Sequence, residues 1–193
     1  MYQALKDTIQ RIVHVPEEEW SLALPKFQYR TFRKGEYLLS EGQVCKHIDF
    51  IVAGCVRIFF LHDGKELSRQ FFFENGFVTE LGSLVAQKPS LYYLEALEPL
   101  QLLSIRHDDL EQLYSQSNHF LRFGKIMAEQ IAIFVSYRNV ELVASPARER
   151  YLRLLNERPK VMSRVPLHMI ASYLGITPEA LSRLRKEISI QGG

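Results

Sequence analysis

The sequence predicts an α+β chain: an N-terminal β-roll, one long helix, and two short helices near the C-terminus. Three observations carry this. Residues 27–105 read as short strands between turn residues, residues 120–144 run in helical periodicity without a proline, and Gly175 followed by Thr177-Pro178 stops one helix and starts another.

The strand region reads FQYRTF, EYLLS, HIDFIVAG, VRIFFLH, KELSRQFFF, FVTEL, LYYLEALE and LQLLSI. It is broken at Lys34-Gly35, Glu41-Gly42, Asp63-Gly64, Asn75-Gly76 and Lys88-Pro89. Strands rich in Phe, Ile, Val and Tyr, with Asp-Gly and Asn-Gly as hairpin signals, argue for a roll, sandwich or barrel.

From His107 the pattern turns helical, first in DDLEQLYSQ and then from Phe120 to Ala144. Phe123, Ile126, Gln130, Ile133, Tyr137, Val140 and Ala144 alternate in steps of three and four, a heptad seam with one polar break. A second stripe, Met127, Ile131, Phe134 and Leu142, lies round the helix. One stripe can pack on the roll while the other meets an identical helix, so a parallel homodimer through the seam is expected. The alternative is a core helix of a monomer.

Ser145-Pro146 is expected to cap and restart the chain as a helix over Ala147 to Glu157, ended by Pro159. The expected domains are a roll at 1–118, a dimerisation helix at 119–144 and a C-terminal domain at 145–193. Any wing would have to lie between Pro159 and Val165.

Composition agrees with a folded, soluble chain. The 193 residues are 47% hydrophobic and 24% charged, with a net charge of +2, which excludes disordered and collagenous classes. The longest apolar runs, such as Ile131 to Val135, are too short to span a bilayer, and MYQALKDTIQRIV lacks the parts of an export signal. A cytoplasmic location without membrane contact is expected. Cys45 and Cys55 suit neither a zinc site nor a four-cysteine cluster and are expected as reduced thiols buried in strands.

Charge is uneven. Residues 144–193 carry 9 basic and 4 acidic side chains, whereas the rest holds 15 basic and 18 acidic. A polyanionic partner or a solvated basic face both fit this asymmetry. In the last helix Leu181, Leu184 and Ile188 form an apolar stripe, and Glu179, Ser182, Arg183 and Lys186 lie opposite. An arginine to grip guanine N7 and O6, a carboxylate to accept from cytosine N4, and hydroxyl or ammonium groups for phosphate are what a major groove requires. With Thr177 and Pro178 at the helix start, and His168 near the start of the preceding helix, these residues form the expected contact set for double-stranded DNA. His168 has no partner ligand at i+3 or i+4, so no metal is expected.

Taken together, KGEYLLSEGQ, IVAGCVRIFF, FVTELGSL and IASYLGITPEALSRLRK resemble the Crp/Fnr family of bacterial transcription regulators over nearly the whole chain. The resemblance implies a cyclic-nucleotide-binding-like roll and a helix-turn-helix in which Glu179 and Arg183 read bases, with RNA polymerase as a further partner. Pro178 replaces an arginine found in some members. The implied effector contacts are Glu80, Leu81, Ser90, Leu91 and Phe134. Here the chain departs from cyclic-nucleotide-binding members: Thr79 stands for their glycine, Ser90-Leu91 for their Arg followed by Ser or Thr, and Phe134 and Val135 for hydroxyl-bearing residues. A cyclic phosphate buried without a cation is poorly compensated, although Lys88 or Arg138 offers an alternative charge. Cyclic AMP is therefore not the expected ligand, no cofactor is identified, and an unknown small effector or none remains. Glu80 has an alternative structural role, accepting backbone N–H groups in its turn. His47, His62 and His107 read as surface loop residues rather than haem ligands. No nucleophile elbow, phosphate loop, acid pair or metal spacing points to an enzyme. The expected function is a dimeric, sequence-specific DNA-binding regulator; the alternative is a ligand-sensing or interaction module whose C-terminal hairpin binds protein.

Overall fold

The computed structural model describes residues 1–191, with side chains through Ile188. Two helices, α1 (Tyr2–Gln10) and α2 (Glu17–Ala23), precede the strands β1 (Phe27–Phe32), β2 (Tyr37–Leu39), β3 (His47–Ala53), β4 (Cys55–His62), β5 (Lys65–Phe73) and β6 (Phe77–Val78). Helix α3 (Leu81–Ala86) leads to β7 (Tyr93–Ala96) and β8 (Leu100–Arg106). Six helices follow: α4 (His107–Gln116), α5 (Asn118–Ala144), α6 (Ala147–Glu157), α7 (Pro159–Arg164), α8 (Leu167–Tyr173) and α9 (Pro178–Gln191). Among the described residues no helix is long and apolar enough to cross a membrane.

The α+β class and the antiparallel roll are those the sequence predicts. Four strands pair in the order β1-β8-β3-β6 and four in the order β2-β7-β4-β5. The β4–β5 turn is Asp63-Gly64, with φ of 49° and 74°; two left-handed residues match the twist of the strands they join.

Strand periodicity divides the apolar residues between two cores. Phe50, Leu103 and Ile105 pack with Leu5, Ile9, Trp20, Leu113, Phe120 and Phe123 of the surrounding helices. Their neighbours Ile51 and Leu102 face the other way and meet Val56, Ile58, Val78, Leu84 and Leu94. Each fully buried Leu, Ile or Phe contributes about 1.5–3 kcal/mol. Trp20 meets Phe120 edge-on at 5.3 Å. Helices α4 and α5 cross closely because residue 124 is glycine; a Cβ there would overlap the Tyr114 hydroxyl.

The chain forms two compact units: Met1–Ile58 with Phe71–Ala132, and Phe59–Gln70 with the residues from Ile133 on.

Several local expectations are corrected. FVTEL is strand only at Phe77–Val78, because Glu80 turns the chain into α3. The N-cap of α6 is Pro146, at φ −58° and ψ 148°, rather than Ser145; the Ser145 N–H still bonds back to Glu141 O at 3.1 Å, closing α5. Pro159 begins another helix, so the segment considered for a wing is helical. Helix α5 starts at Asn118, because the buried Ser117 hydroxyl accepts the Phe120 N–H at 3.1 Å. Cys45 and Cys55 are buried and free, but Cys45 lies just before β3 rather than in a strand. His47 opens β3 and is half-buried, His62 ends β4 and His107 opens α4, so none of the three is a loop residue.

Candidate nucleic-acid interface and the roll interior

Helix α8 ends because Gly175 takes φ +68°. The Ile176 N–H bonds to Ala171 O at 3.0 Å and the Gly175 N–H to Ser172 O at 3.0 Å, the paired bonds by which a left-handed residue satisfies terminal carbonyls. Two residues later the Thr177 hydroxyl accepts the Ala180 N–H at 3.2 Å, and Pro178 occupies the first helical position of α9. Ala171 is fully buried, as are Ile170 and Leu174.

On α9, Leu181 is buried and Leu184 and Ile188 are half-buried. Glu179, Ser182, Arg183 and Lys186 are exposed, as are His168, Thr177 and Pro178. A hydrogen bond from its own backbone N–H, then one from the Thr177 hydroxyl and the Arg183 charge, hold the Glu179 carboxyl below its ordinary value. It is thus an acceptor at the head of the helix.

Two arginines have internal duties that the sequence did not disclose. Arg150 is buried; its Nε and Nη2 donate to Leu174 O at 3.2 and 2.8 Å, and its Nη1 donates to Ser145 O. One guanidinium therefore closes the C-terminal ends of α5 and α8, where helix dipoles favour a cation. Arg138 donates to Glu141 Oε2 at 2.7 Å and to Tyr173 O, and lies 3.9 Å over the Tyr173 ring. This engagement stands against its use as a substitute phosphate cation.

The seam residues divide. Phe123 is buried in its own chain, 5.4 Å from the Phe77 ring, and Ile126 packs beside it. Gln130, Ile133, Tyr137 and Val140 are exposed, Tyr137 by 74% and Val140 by 63%.

In the roll, Glu80 is the N-cap of α3: Oε2 accepts from Ser83 N at 2.7 Å and Oε1 from Gly82 N at 3.1 Å. Ser90 is buried, with its hydroxyl accepting the Tyr92 N–H at 2.9 Å and its backbone bonded to Gly42 and Gln43. Thr79 donates to His47 O at 2.9 Å. Leu81 is half-buried and Leu91 is exposed. Phe134 belongs to the other compact unit, where it lines a cleft of about 420 Å³ with Tyr137, Arg138 and Arg153. Among the described residues no group of three His, Cys, Asp or Glu is arranged to hold a metal ion.

Two titratable residues of β3 are shifted by burial: Asp49, which no sequence pattern marks, and His47, expected at the surface. Burial pushes the Asp49 carboxyl up to about 6 despite the neighbouring Ser104 hydroxyl and Arg30 guanidinium. Arg30 Nη1 lies 3.7 Å from Asp49 Oδ1. Burial also pushes His47 down to about 4, assisted by Arg30, Arg106 and Lys46. No spacing signal marks either; only the burial of the strand does.

Comparison with known proteins adds to this geometry. Residues 29–117 match the model of the cyclic nucleotide-binding domain. No curated protein matches the chain in sequence. Among solved structures, FixK2 from Bradyrhizobium japonicum is similar with a TM-score of 0.75 and 20% identity, covering 86% of each chain. The c-di-GMP-responsive global regulator CLP of Xanthomonas campestris has a TM-score of 0.73 and 19% identity, covering 92% of this chain and 93% of its own. A protein from Eubacterium rectale assigned to the Crp/Fnr family of transcriptional regulators has a TM-score of 0.72 and 14% identity, over 92% of this chain and 85% of its own. Residues 29–117 are thus similar to the cyclic nucleotide-binding domain, and the chain shares its fold with these solved regulators, one of them assigned to the Crp/Fnr family.

Proposed function

We propose that this protein is a dimeric, sequence-specific DNA-binding transcription regulator acting in the cytoplasm, not an enzyme, with RNA polymerase as a further partner. Its working parts are the roll at 1–118, the helix at 119–144 and the reading domain at 145–193. The observation that carries this reading is the face of α9, where Glu179, Ser182, Arg183 and Lys186 stand exposed opposite the Leu181 stripe. Arg183 and Glu179 contact base edges; His168, Thr177, Pro178, Ser182 and Lys186 approach the backbone. Affinity for duplex DNA should fall steeply with salt as phosphate counterions are released. Binding to protein but not to duplex DNA would instead favour the interaction-module reading.

Dimerisation runs along α5, through Gln130, Ile133, Tyr137 and Val140, with Phe123 and Ile126 anchoring the same helix in its own roll. Exposed apolar residues at heptad spacing support this. Ile133→Glu should therefore yield monomers in sedimentation, whereas an unchanged dimer would contradict the seam.

The effector pocket is degenerate and takes neither cyclic AMP nor cyclic GMP. Support comes from Glu80, which caps α3, from Ser90, whose hydroxyl bonds to its own turn, and from the apolar lining between the sheets. Titration calorimetry with either nucleotide should give no binding heat at physiological concentrations. Micromolar binding would overturn this reading.

A further inference from the structure

Strand β5 is last in the order β2-β7-β4-β5, so among the described residues no strand pairs with its outer edge. Backbone groups of alternate residues point out from such an edge. Along β5 the Glu66 carbonyl and the Ser68 N–H are bonded from the C-terminal helices, and Gln70 is contacted there through its side chain. The Ser172 hydroxyl accepts the Ser68 N–H at 2.9 Å and donates to Glu66 O at 2.8 Å. Arg158 Nη1 donates to Gln70 Oε1. Ser172 lies on α8 between the buried Ala171 and Tyr173, and residues 59–70 form one compact unit with the chain from Ile133 on.

We infer that Ser172 is a latch: its single hydroxyl takes the place of a neighbouring strand on the β5 edge and so fixes the orientation of the α8–α9 hairpin against the β4–β5 hairpin. A hydroxyl suits this place because it donates and accepts at once, matching one carbonyl and one N–H two residues apart. Arg158 and Gln70 hold the same edge one step further on. The latch goes beyond the proposed function and stands whether or not α9 binds DNA. If α9 does bind DNA, the latch determines how its reading face is presented.

The test uses the full chain with spin labels at Lys65→Cys and Arg185→Cys, since Cys45 and Cys55 are buried. The expected result is one narrow distance in the labelled parent, a broad distribution in Ser172→Ala, and recovery in Ser172→Thr, which keeps the hydroxyl. Amide exchange at Ser68 should quicken roughly threefold to tenfold in Ser172→Ala, with β8 protection unchanged. Gln70→Ala should broaden the distribution less. A narrow, parent-like distribution in Ser172→Ala, or Ser172→Thr as broad as the alanine variant, would overturn the latch.

Discussion

In the roll, Glu80 closes the start of α3 and the Ser90 hydroxyl bonds to its own turn, while Leu84, Leu94 and Leu102 pack between the sheets. On α9 the same residue types, Glu179 and Ser182, face water beside Arg183 and Lys186. Residue identity is thus a poor guide to function; exposure, together with the bonds a polar group already makes, is a better one. The Glu80 carboxylate is half-buried and turned onto the N–H groups of its own helix. A carboxylate that stands exposed at the head of a helix can still meet a base.

The largest effect is expected where a polar group supports the α8–α9 hairpin. Removing Arg150 strands the carbonyls of Leu174 and Ser145 and leaves a void, so Arg150→Ala should destabilise the C-terminal unit by about 3 kcal/mol in chemical denaturation. A loss under about 0.5 kcal/mol would mean these carbonyls find water at no penalty.

Next comes the buried carboxyl of the roll. Asp49 binds its proton more tightly folded, at about 6, than its ordinary 3.8. Its contribution is therefore fully present below pH 4 and is lost as pH rises through about 6, by up to about 3 kcal/mol. His47 has the opposite sign: its folded value of about 4 lies below 6.5, so stability is lost as pH falls between these values. The two partly cancel. Asp49→Asn should raise the melting temperature at pH 8 but not at pH 4, leaving the acid loss due to His47. Equal shifts at both pH values would show that packing rather than charge is responsible.

Both halves of this comparison were unevenly legible. The α8–α9 hairpin was readable because its signals are local: Gly175 must take positive φ, and Thr177-Pro178 start the next helix within two residues. The seam was half readable, since helical spacing reveals a stripe but not that Phe123 meets Phe77 of its own roll. Helices α1 and α2 were not assigned from sequence, being 9 and 7 residues long, too short for periodicity to separate from turn. Ser145 is not the cap of α6 because Pro146 itself holds the extended cap conformation. Arg150, Arg138 and Ser172 were out of reach for another reason. Their partners lie 24, 35 and 104 residues away, and no pattern in the neighbouring sequence encodes such pairs.

The exposed face of α9 should matter little to stability: Arg183 is exposed, so Arg183→Ala should change it by no more than about 0.5 kcal/mol. The direct test is selection of duplexes from a randomised pool by the parent protein and by Arg183→Ala, with helicity and salt dependence measured alongside. The parent should enrich two inverted half-sites, each with a guanine at one fixed position. Arg183→Ala should lose that guanine preference and about 1–3 kcal/mol per half-site. Enrichment of the same site with the same affinity by Arg183→Ala, its fold intact, would contradict the assignment of α9 as the helix that reads DNA.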